Sequence, residues 1–226
     1  MKACPAIIAA LPREVSALVK GWNRRELPGH VTVYTNGDAV VACAGMGAAR
    51  ATLAVQAAMA AMPVTALISV GLAGACDPAL RVGDVVRAGL TIDIRTGERF
   101  GGSQPNDVLV SCDSIASVAE KARLHASYGA AAVDMEAAAV ARLAQAHNLE
   151  FRTIKAISDE ADFELEGLSR FSTEDGRFRE AAFAMYAVVR PRMWGKVAAL
   201  ARNSNKAIAS LTAAVEAELD WYKTRA

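Results

Sequence analysis

The stretch from Ala132 to Asp162 constrains the fold of this chain more than any other part of the sequence. Its residues 137–146 are rich in Ala, with Leu and Arg, which favour a helix. The helix is expected to end at His147-Asn148. Residues 151–157 form a short β-prone run that then turns acidic, which indicates a buried strand. The stretch therefore predicts a helix followed directly by a strand.

Polar residues stand at both ends of this helix–strand unit. Asp134, Met135 and Glu136 precede the helix in a predicted loop, and Ser158 and Asp159 end the strand. A helix between two strands is typical of a βαβ crossover, and ligands of open α/β sheets bind beyond the carboxyl ends of the strands. We therefore expect Glu136 and Asp159 to meet at one site. Two carboxyl groups there suggest acid–base chemistry.

The rest of the chain alternates predicted strands and helices. Strands are expected at 6–10, 31–34, 39–44, 66–70, 85–88 and 108–111, and helices at 12–19, 48–61, 181–189 and 198–221. Residues 96–106 are expected to form an exposed loop, and the charged residues after 162, through 180, a mobile section. This alternation predicts an α/β fold, a three-layer αβα sandwich around a central mixed, mostly parallel sheet. The 226 residues suit one domain over 1–226, with a helical extension from about 190.

Two glycine-rich segments follow predicted strands. They are Gly45-Met46-Gly47 and Gly71-Leu72-Ala73-Gly74, and neither matches a dinucleotide fingerprint or a phosphate-binding P-loop. Such glycines either form tight turns or let a ligand approach the backbone. Glu14 is open to two interpretations as well. It is either a first-turn carboxylate favoured by the helix dipole or a functional residue.

Composition excludes several classes of protein. A formal net charge of +1 argues against a nucleic-acid binder, which normally carries a basic face. Cys4, Cys43, Cys76 and Cys112 lie far apart, without a CxxC pair or a histidine at zinc spacing. This favours reduced structural thiols over a metal or disulfide role, so no metal and no cofactor are predicted. Without a signal-peptide pattern or an apolar run of about 20 residues, the sequence predicts a cytoplasmic location.

Four segments in one order carry a family resemblance. The chain resembles the purine nucleoside phosphorylase/uridine phosphorylase superfamily, and within it most closely the 5′-methylthioadenosine/S-adenosylhomocysteine nucleosidases. The resemblance covers roughly residues 6–162. The matching segments are IIAALPREV at 7–15, GMG at 45–47, VGLAG at 70–74 with VGD at 82–84, and VDMEA at 133–137 with AISDEAD at 156–162.

The resemblance implies a role for each matching residue. Glu14 corresponds to the glutamate that activates the attacking water, Met135 to the methionine against the ribose, and Glu136 to the acceptor of the ribose hydroxyls. Asp159 corresponds to the aspartate that protonates N7 of the departing purine, oriented by Ser158. The resemblance also implies substrate contacts at Gly45, Gly47, Gly71, Leu72, Ala73, Gly74, Ile115 and Asp134.

These residue types suit cleavage of an N-glycosidic bond. The sugar passes through an oxocarbenium-like state, which nearby carboxylates stabilise. The purine leaves as an anion unless it is protonated, so a carboxyl group that burial keeps protonated is the expected acid. Because a pyrimidine has no N7, Asp159 favours a purine substrate.

Departures from the family pattern bear on the nucleophile. Superfamily phosphorylases clamp phosphate with arginines and a serine, but this chain has Ser69 and Leu72 at the corresponding positions. A leucine side chain cannot donate to phosphate. Hydrolysis is therefore favoured over phosphorolysis. Arg13 and Arg50 lie near the predicted site segments, so a different way of binding phosphate stays open.

Other departures bear on the substrate. Asp134 replaces the usual glutamate, and Lys155 replaces a common arginine. The segment Ser114-Ile115-Ala116 offers no aromatic ring to stack on the purine. The chain is also shorter than the nucleosidases between Val86 and Val108. An open apolar pocket would admit a large 5′ group. In this respect the chain resembles hopanoid-associated members of the superfamily, proposed to remove adenine from an adenosylated lipid. The same losses would also suit weak activity or a nucleoside-binding protein.

The C-terminal segment carries an amphipathic stripe at Ile208, Leu211, Val215 and Leu219. The stripe predicts packing on the same domain, with docking to a partner subunit or to a membrane surface as the less favoured alternatives. The family resemblance implies a homodimer. The function expected overall is hydrolysis of a 5′-modified adenosine to adenine and a ribose derivative.

Overall fold

The computed structural model describes residues 4–101, 107–163 and 191–225. Within these ranges the strands are β1 (Cys4–Ala9), β2 (Asn23–Leu27), β3 (Val31–Thr35), β4 (Val40–Cys43), β5 (Val64–Ala75), β6 (Val85–Val86), β7 (Ala88–Asp93), β8 (Arg99–Gly101), β9 (Asp107–Ser111), β10 (Ala130–Asp134) and β11 (Glu150–Asp159). The helices there are α1 (Pro12–Val15), α2 (Ala48–Ala61), α3 (Val118–Tyr128), α4 (Ala137–Ala146) and α5 (Pro191–Arg225).

All the described strands join one mixed sheet built around β5. Strands β1 and β11 pair parallel to β5, and β4 pairs parallel to β1. Hairpin partners add antiparallel pairs at the edges, β2–β3–β4 on one side and β7–β8 on the other. The longest ladder, β5–β11, is parallel. The predicted mixed sheet is confirmed.

Helices cover both faces of the sheet because alternate strand residues point in opposite directions. Ile8 of β1 packs in the cluster that contains α2 and α4. Its neighbour Ile7 packs in the cluster that contains Leu211 and Val215 of α5. The result is the predicted three-layer αβα arrangement. The amphipathic stripe of the tail packs on its own chain, as expected.

Strand β10 reaches the sheet in an unexpected direction. It pairs antiparallel to β5, whereas β11 pairs parallel to β5. The unit β10–α4–β11 is therefore not the crossover between parallel strands that the sequence suggested. Val133 of β10 and Asp159 of β11 both pair with Gly74 of β5. Because β10 and β11 both end beside Gly74 of β5, Glu136 and Asp159 are brought close together.

Several element predictions need correction. Residues 71–74 continue β5 instead of forming a turn, because the long parallel ladder with β11 extends through them. The first helix ends at Val15, not Val19. The expected loop 96–106 contains β8, which pairs with β7. The helix predicted at 181–189, and the section predicted mobile from 164 onward, lie outside the described residues.

Besides β8, the elements for which no range was predicted are β2, β7, α3 and β10. Two signals in the sequence mark α3. Ser117 caps its start by accepting a hydrogen bond from the Glu120 backbone N–H, and Gly129 ends it in a left-handed conformation with φ 64°. A serine three residues before a glutamate, with a glycine after the last turn, is a recognisable helix signature.

Two further observations concern the chain as a whole. The thiols of Cys4, Cys43, Cys76 and Cys112 are all buried. Across the described ranges, no helix has the combined length and apolar character that crossing a membrane would require.

Candidate active site

A cavity of about 420 Å³ opens where β1, β5, β10 and β11 end, with α5 along one side. It contains all three acids that the sequence singled out, Glu14, Glu136 and Asp159. Most of the remaining wall is apolar. The other lining residues are Ala10, Leu11, Arg13, Met46, Leu72, Ala73, Gly74, Ser114, Ile115, Ala116, Lys121, Val133, Asp134, Met135, Ser158, Leu200, Ala201, Ser204, Asn205 and Ile208.

Glu14 is held by the backbone of the turn that follows β1. Its Oε2 accepts hydrogen bonds from the N–H groups of Ala10, at 3.1 Å, and Leu11, at 2.9 Å. The side chain is buried, and burial raises the pKa of its carboxyl group. Gly71 lies behind it with φ 153°, and a Cβ at that position would sit 3.5 Å from Oε2. The turn therefore fixes a carboxyl group with increased proton affinity, which suits a general base.

Glu136 faces the same hollow from the start of α4. Its Oε1 accepts a hydrogen bond of 2.6 Å from the N–H of Gly47, and its Oε2 one of 3.3 Å from the N–H of Met135. Burial raises the pKa of its carboxyl group to about 7, with a smaller contribution from the charge of Asp134. The charge of Lys155 acts in the opposite direction. Glu136 therefore changes charge near neutral pH.

Asp134 and Lys155 form a buried ion pair beneath Glu136. Their Oδ2 and Nζ atoms are 2.9 Å apart, and Lys155 is 1% exposed. Oδ2 of Asp134 also accepts from the N–H of Ala137, while Oδ1 accepts from the Ser111 hydroxyl at 2.6 Å. The two departures from the family pattern are thus partners in one contact, which anchors the first turn of α4.

Lys155 is the cation shared by this group of acids. Burial acts to lower the pKa of its ammonium group, but the charges of Asp134, Glu136 and Glu14 outweigh burial and raise it. The lysine is therefore charged. Burial is the largest cause of the raised pKa values of Glu14 and Glu136, and the charge of Lys155 only partly offsets it.

Asp159 ends β11 at the other side of the cavity. Its Oδ1 accepts a hydrogen bond of 2.6 Å from the Ser158 hydroxyl, and its Oδ2 lies 2.5 Å from Nζ of Lys121. The side chain is 23% exposed. The sequence led us to expect a carboxyl group that burial keeps protonated, whereas the structure shows a partly exposed side chain in contact with the ammonium group of Lys121.

The other predicted contact residues divide into two groups. Leu72, Ala73, Gly74, Ile115, Asp134, Met135 and Ser158 line the cavity. Gly45, Gly47 and Gly71 are not among its lining residues and act from behind it. Gly45 donates its N–H to the carbonyl of Ala10 at 2.9 Å, which ties the glycine segment to the turn that holds Glu14.

Sequence reasoning missed two contributions to the site. Lys121 was not singled out, although it contacts Asp159 directly. Leu200 and Ile208 of α5 reach the cavity from a segment where the family resemblance is weak. The helix signature of α3 was available in the sequence, but nothing there indicated that Lys121 would face inward.

The two arginines considered for phosphate binding lie in different places. Arg13 lines the cavity. Arg50 does not, and its guanidinium donates to the carbonyls of Ala44 and, at 2.6 Å, Gly29. Among the described lining residues the cationic side chains are Arg13 and Lys121, and Lys121 is engaged by Asp159.

Comparison with known proteins places these features in a family. A family model described as the phosphorylase superfamily matches residues 6–109 and 96–191. No curated protein sequence matches the chain.

Solved structures share the fold at low sequence identity. A 5′-methylthioadenosine/S-adenosylhomocysteine nucleosidase from Helicobacter pylori superposes with a TM-score of 0.72 at 18% identity, over 96% of this chain and 98% of that one. Futalosine hydrolase from Helicobacter pylori gives 0.62 at 20%, over 70% and 88%. A putative methylthioadenosine nucleosidase from Weissella paramesenteroides gives 0.62 at 25%, also over 70% and 88%.

Proposed function

We propose that this chain, which belongs to the phosphorylase superfamily, is a purine nucleosidase that hydrolyses the N-glycosidic bond of a 5′-modified adenosine. The products would be adenine and a ribose derivative. The observation that carries the proposal is the presence of Glu14, Glu136 and Asp159 around one cavity of about 420 Å³.

The positions of the three acids suit the separate tasks of the reaction. Glu136 and Met135 line the cavity and are the residues proposed to contact the ribose, where the negative charge of Glu136 stabilises an oxocarbenium-like sugar. Glu14, with its increased proton affinity, accepts the proton of the attacking water. Asp159, at the opposite side, hands a proton to N7 of the purine.

The surroundings of Glu14 support water over phosphate as the nucleophile. Phosphate would meet the carboxyl groups of Glu14 and Glu136, and the apolar side chain of Leu72. A dianion is repelled by carboxylates and gains nothing from leucine, whereas a neutral water molecule can donate to a carboxylate.

The apolar wall supports a substrate with an apolar 5′ group. The apolar lining includes Leu11, Met46 and Ile115, together with Leu200 and Ile208 of α5. Ile115 is 37% exposed, so the rim is open to solvent there. The open apolar rim also favours a second candidate, an adenosine that carries a large lipid at its 5′ position.

The test is incubation of the purified protein with methylthioadenosine, S-adenosylhomocysteine, futalosine, inosine and a 5′-alkyl adenosine, with and without phosphate. We expect free base without phosphate, fastest from a nucleoside with an apolar 5′ group. Release that requires phosphate would identify a phosphorylase instead. Binding of these nucleosides without any base release would indicate a binding protein.

Asp159→Asn is the matched variant for this assay. It keeps the shape of the side chain but cannot carry a proton, so base release should fall by about 10²–10⁴-fold. Asp162→Asn changes an exposed aspartate of the following turn and should behave as wild type. Near-normal turnover by Asp159→Asn would remove Asp159 from the mechanism.

A further inference from the structure

Lys121 is a buried lysine whose ammonium group reaches into the part of the cavity that contains Asp159, which we call the base end because the purine base is proposed to bind there. It stands on α3, is 2% exposed, and lies 2.5 Å from Oδ2 of Asp159. Its Nζ also donates to the carbonyls of Glu160, at 2.9 Å, and Phe163, at 3.3 Å. Three acceptors match the three N–H bonds of an ammonium group, so the geometry fits the protonated amine.

This ion pair changes where the catalytic proton resides. Nζ of Lys121 donates a hydrogen bond of 2.5 Å to Oδ2 of Asp159, and a carboxylate that accepts such a bond has no proton of its own to give to a purine. The contact therefore connects Asp159 to a second proton donor.

Gly74 makes room for the pair. A Cβ built on Gly74 would lie 2.9 Å from Oδ2 of Asp159 and 3.0 Å from Cε of Lys121. Any side chain at this position would have to displace one of the two partners. The absence of a side chain at Gly74 thus leaves the space that the contact between Lys121 and Asp159 occupies.

We propose that Lys121 is a positioning residue that holds Asp159 at the base end of the cavity and supplies the proton that Asp159 passes to the purine. The proposal rests on the nucleosidase function proposed above. It assigns a task to a residue that lies outside the segments carrying the family resemblance.

The proton balance of this step is closed. The C1′–N9 bond breaks and its electron pair moves onto the purine, whose N7 becomes basic. Lys121 transfers a proton to Asp159, and Asp159 transfers one to N7. The water oxygen bonds to C1′ and releases its proton to Glu14. Solvent then returns a proton to the Lys121 amine and removes one from Glu14.

The test compares two leaving groups on the Lys121→Met variant. Methylthioadenosine needs a proton on its base, whereas 4-nitrophenyl β-D-ribofuranoside releases a stable phenolate without one. At pH 7.5 we expect kcat for methylthioadenosine to fall by about 10²-fold or more, and kcat for the nitrophenyl riboside to stay within about threefold of wild type. Because Asp159 must then take its proton from solvent, the variant should regain purine cleavage as the pH is lowered.

Lys121→Arg separates supply of the proton from simple positioning. Arginine keeps the positive charge but does not release a proton in proteins. We expect it to lose methylthioadenosine cleavage and to keep cleavage of the nitrophenyl riboside. Arg123→Met, on an exposed face of the same helix, is the control and should leave both rates unchanged.

Three outcomes would overturn the assignment of Lys121. They are an equal loss on both substrates in Lys121→Met, wild-type cleavage of methylthioadenosine by Lys121→Arg, and an unaltered pH profile in Lys121→Met. Failure of the nucleosidase proposal looks different, because the wild-type protein itself would then cleave neither substrate.

Discussion

At the scale of single residues, the site is defined by a small number of cationic side chains among several acidic ones. Lys155 lies among Glu14, Asp134 and Glu136, and Lys121 contacts Asp159. The two groups of residues therefore differ in kind. The group around Lys155 contains two carboxyl groups with raised proton affinity, Glu14 and Glu136, and the group around Lys121 is an ion pair.

The raised pKa of Glu136 makes a prediction about stability. With a pKa of about 7 in the folded protein and an ordinary value in the unfolded chain, the folded state binds more protons between about pH 4.5 and 7. Its contribution to stability is therefore present at low pH and is lost as the pH rises through that window. Glu136→Gln cannot ionise, so it should be more stable than wild type at pH 8 by about 1–3 kcal/mol.

Urea unfolding at pH 4.5 and pH 8 provides the measurement. The advantage of Glu136→Gln should largely disappear at pH 4.5, and the exposed control Glu216→Gln should show no such change. A stability difference that is the same at both pH values would contradict the raised pKa.

Sequence reasoning reached the acids but not their partners. Glu14, Glu136 and Asp159 stand in recognisable segments next to strands, so their convergence was predictable. Lys121 lies on a helix with other polar residues, and one sequence gives no sign of which of them faces inward. The contact between Asp134 and Lys155 was equally hidden, because each residue was seen only as a separate departure from a pattern.

At the scale of elements, α5 is held to the sheet by a polar contact as well as by its apolar stripe. Arg152 of β11, 14% exposed, pairs with Glu218 of α5, which is 8% exposed, and with Glu150 at 2.8 Å. The Arg152 guanidinium also lies 4.2 Å from the ring centroid of Trp221. This cluster lies more than two helical turns beyond the part of α5 that lines the cavity.

Loss of one partner in this cluster should loosen α5. Glu218→Ala leaves the partly buried guanidinium of Arg152 with Glu150 alone, so we expect a loss of about 1–3 kcal/mol in the free energy of unfolding. Glu216→Ala, an exposed residue of the same helix, should change it by less than about 0.5 kcal/mol. Equal effects of the two variants in urea unfolding would show that the ion pair does not stabilise the docked helix.

Elements were predicted well where a local pattern coincided with burial. The bounds of α2 and α4 agree with those expected, because an Ala-rich run and its ends are visible in the sequence. The segment 71–74 was misassigned because glycine usually interrupts a strand, whereas here β11 pairs alongside it. Strand β2, NRREL, has no apolar alternation and is specified by its pairing with β3.

At the scale of the whole molecule, the four motif segments that suggested a family lie around one cavity. The superfamily and the three-layer fold are confirmed, and the function read from them is the proposal above. The single domain, the homodimer and the cytoplasmic location stay predictions. Long-range pairing, such as β10 antiparallel to β5, was not predictable from local patterns because it depends on contacts between distant residues.

A shared core predicts that the chain unfolds as one unit. Ala207, Leu211 and Val215 of α5 belong to the same buried cluster as Ile7 and Ile154 of the sheet. Trp22→Phe leaves tryptophans only in α5, at positions 194 and 221. We expect the fluorescence of this variant and its circular dichroism at 222 nm to follow the same urea transition. An earlier fluorescence transition would mean that α5 detaches before the sheet unfolds.

The pairing of both β10 and β11 with Gly74 also determines which changes of substrate this fold can accommodate. Val133 and Asp159 both pair with this one backbone position. Under the proposed function, the distance between the groups that contact the sugar and the base is set by main-chain hydrogen bonds, which point mutations rarely alter. Leu200 and Ser204 belong to a helix that packs on the sheet from outside. Substitutions at these two positions are therefore the ones that can adapt the cavity to a bulkier or smaller nucleoside.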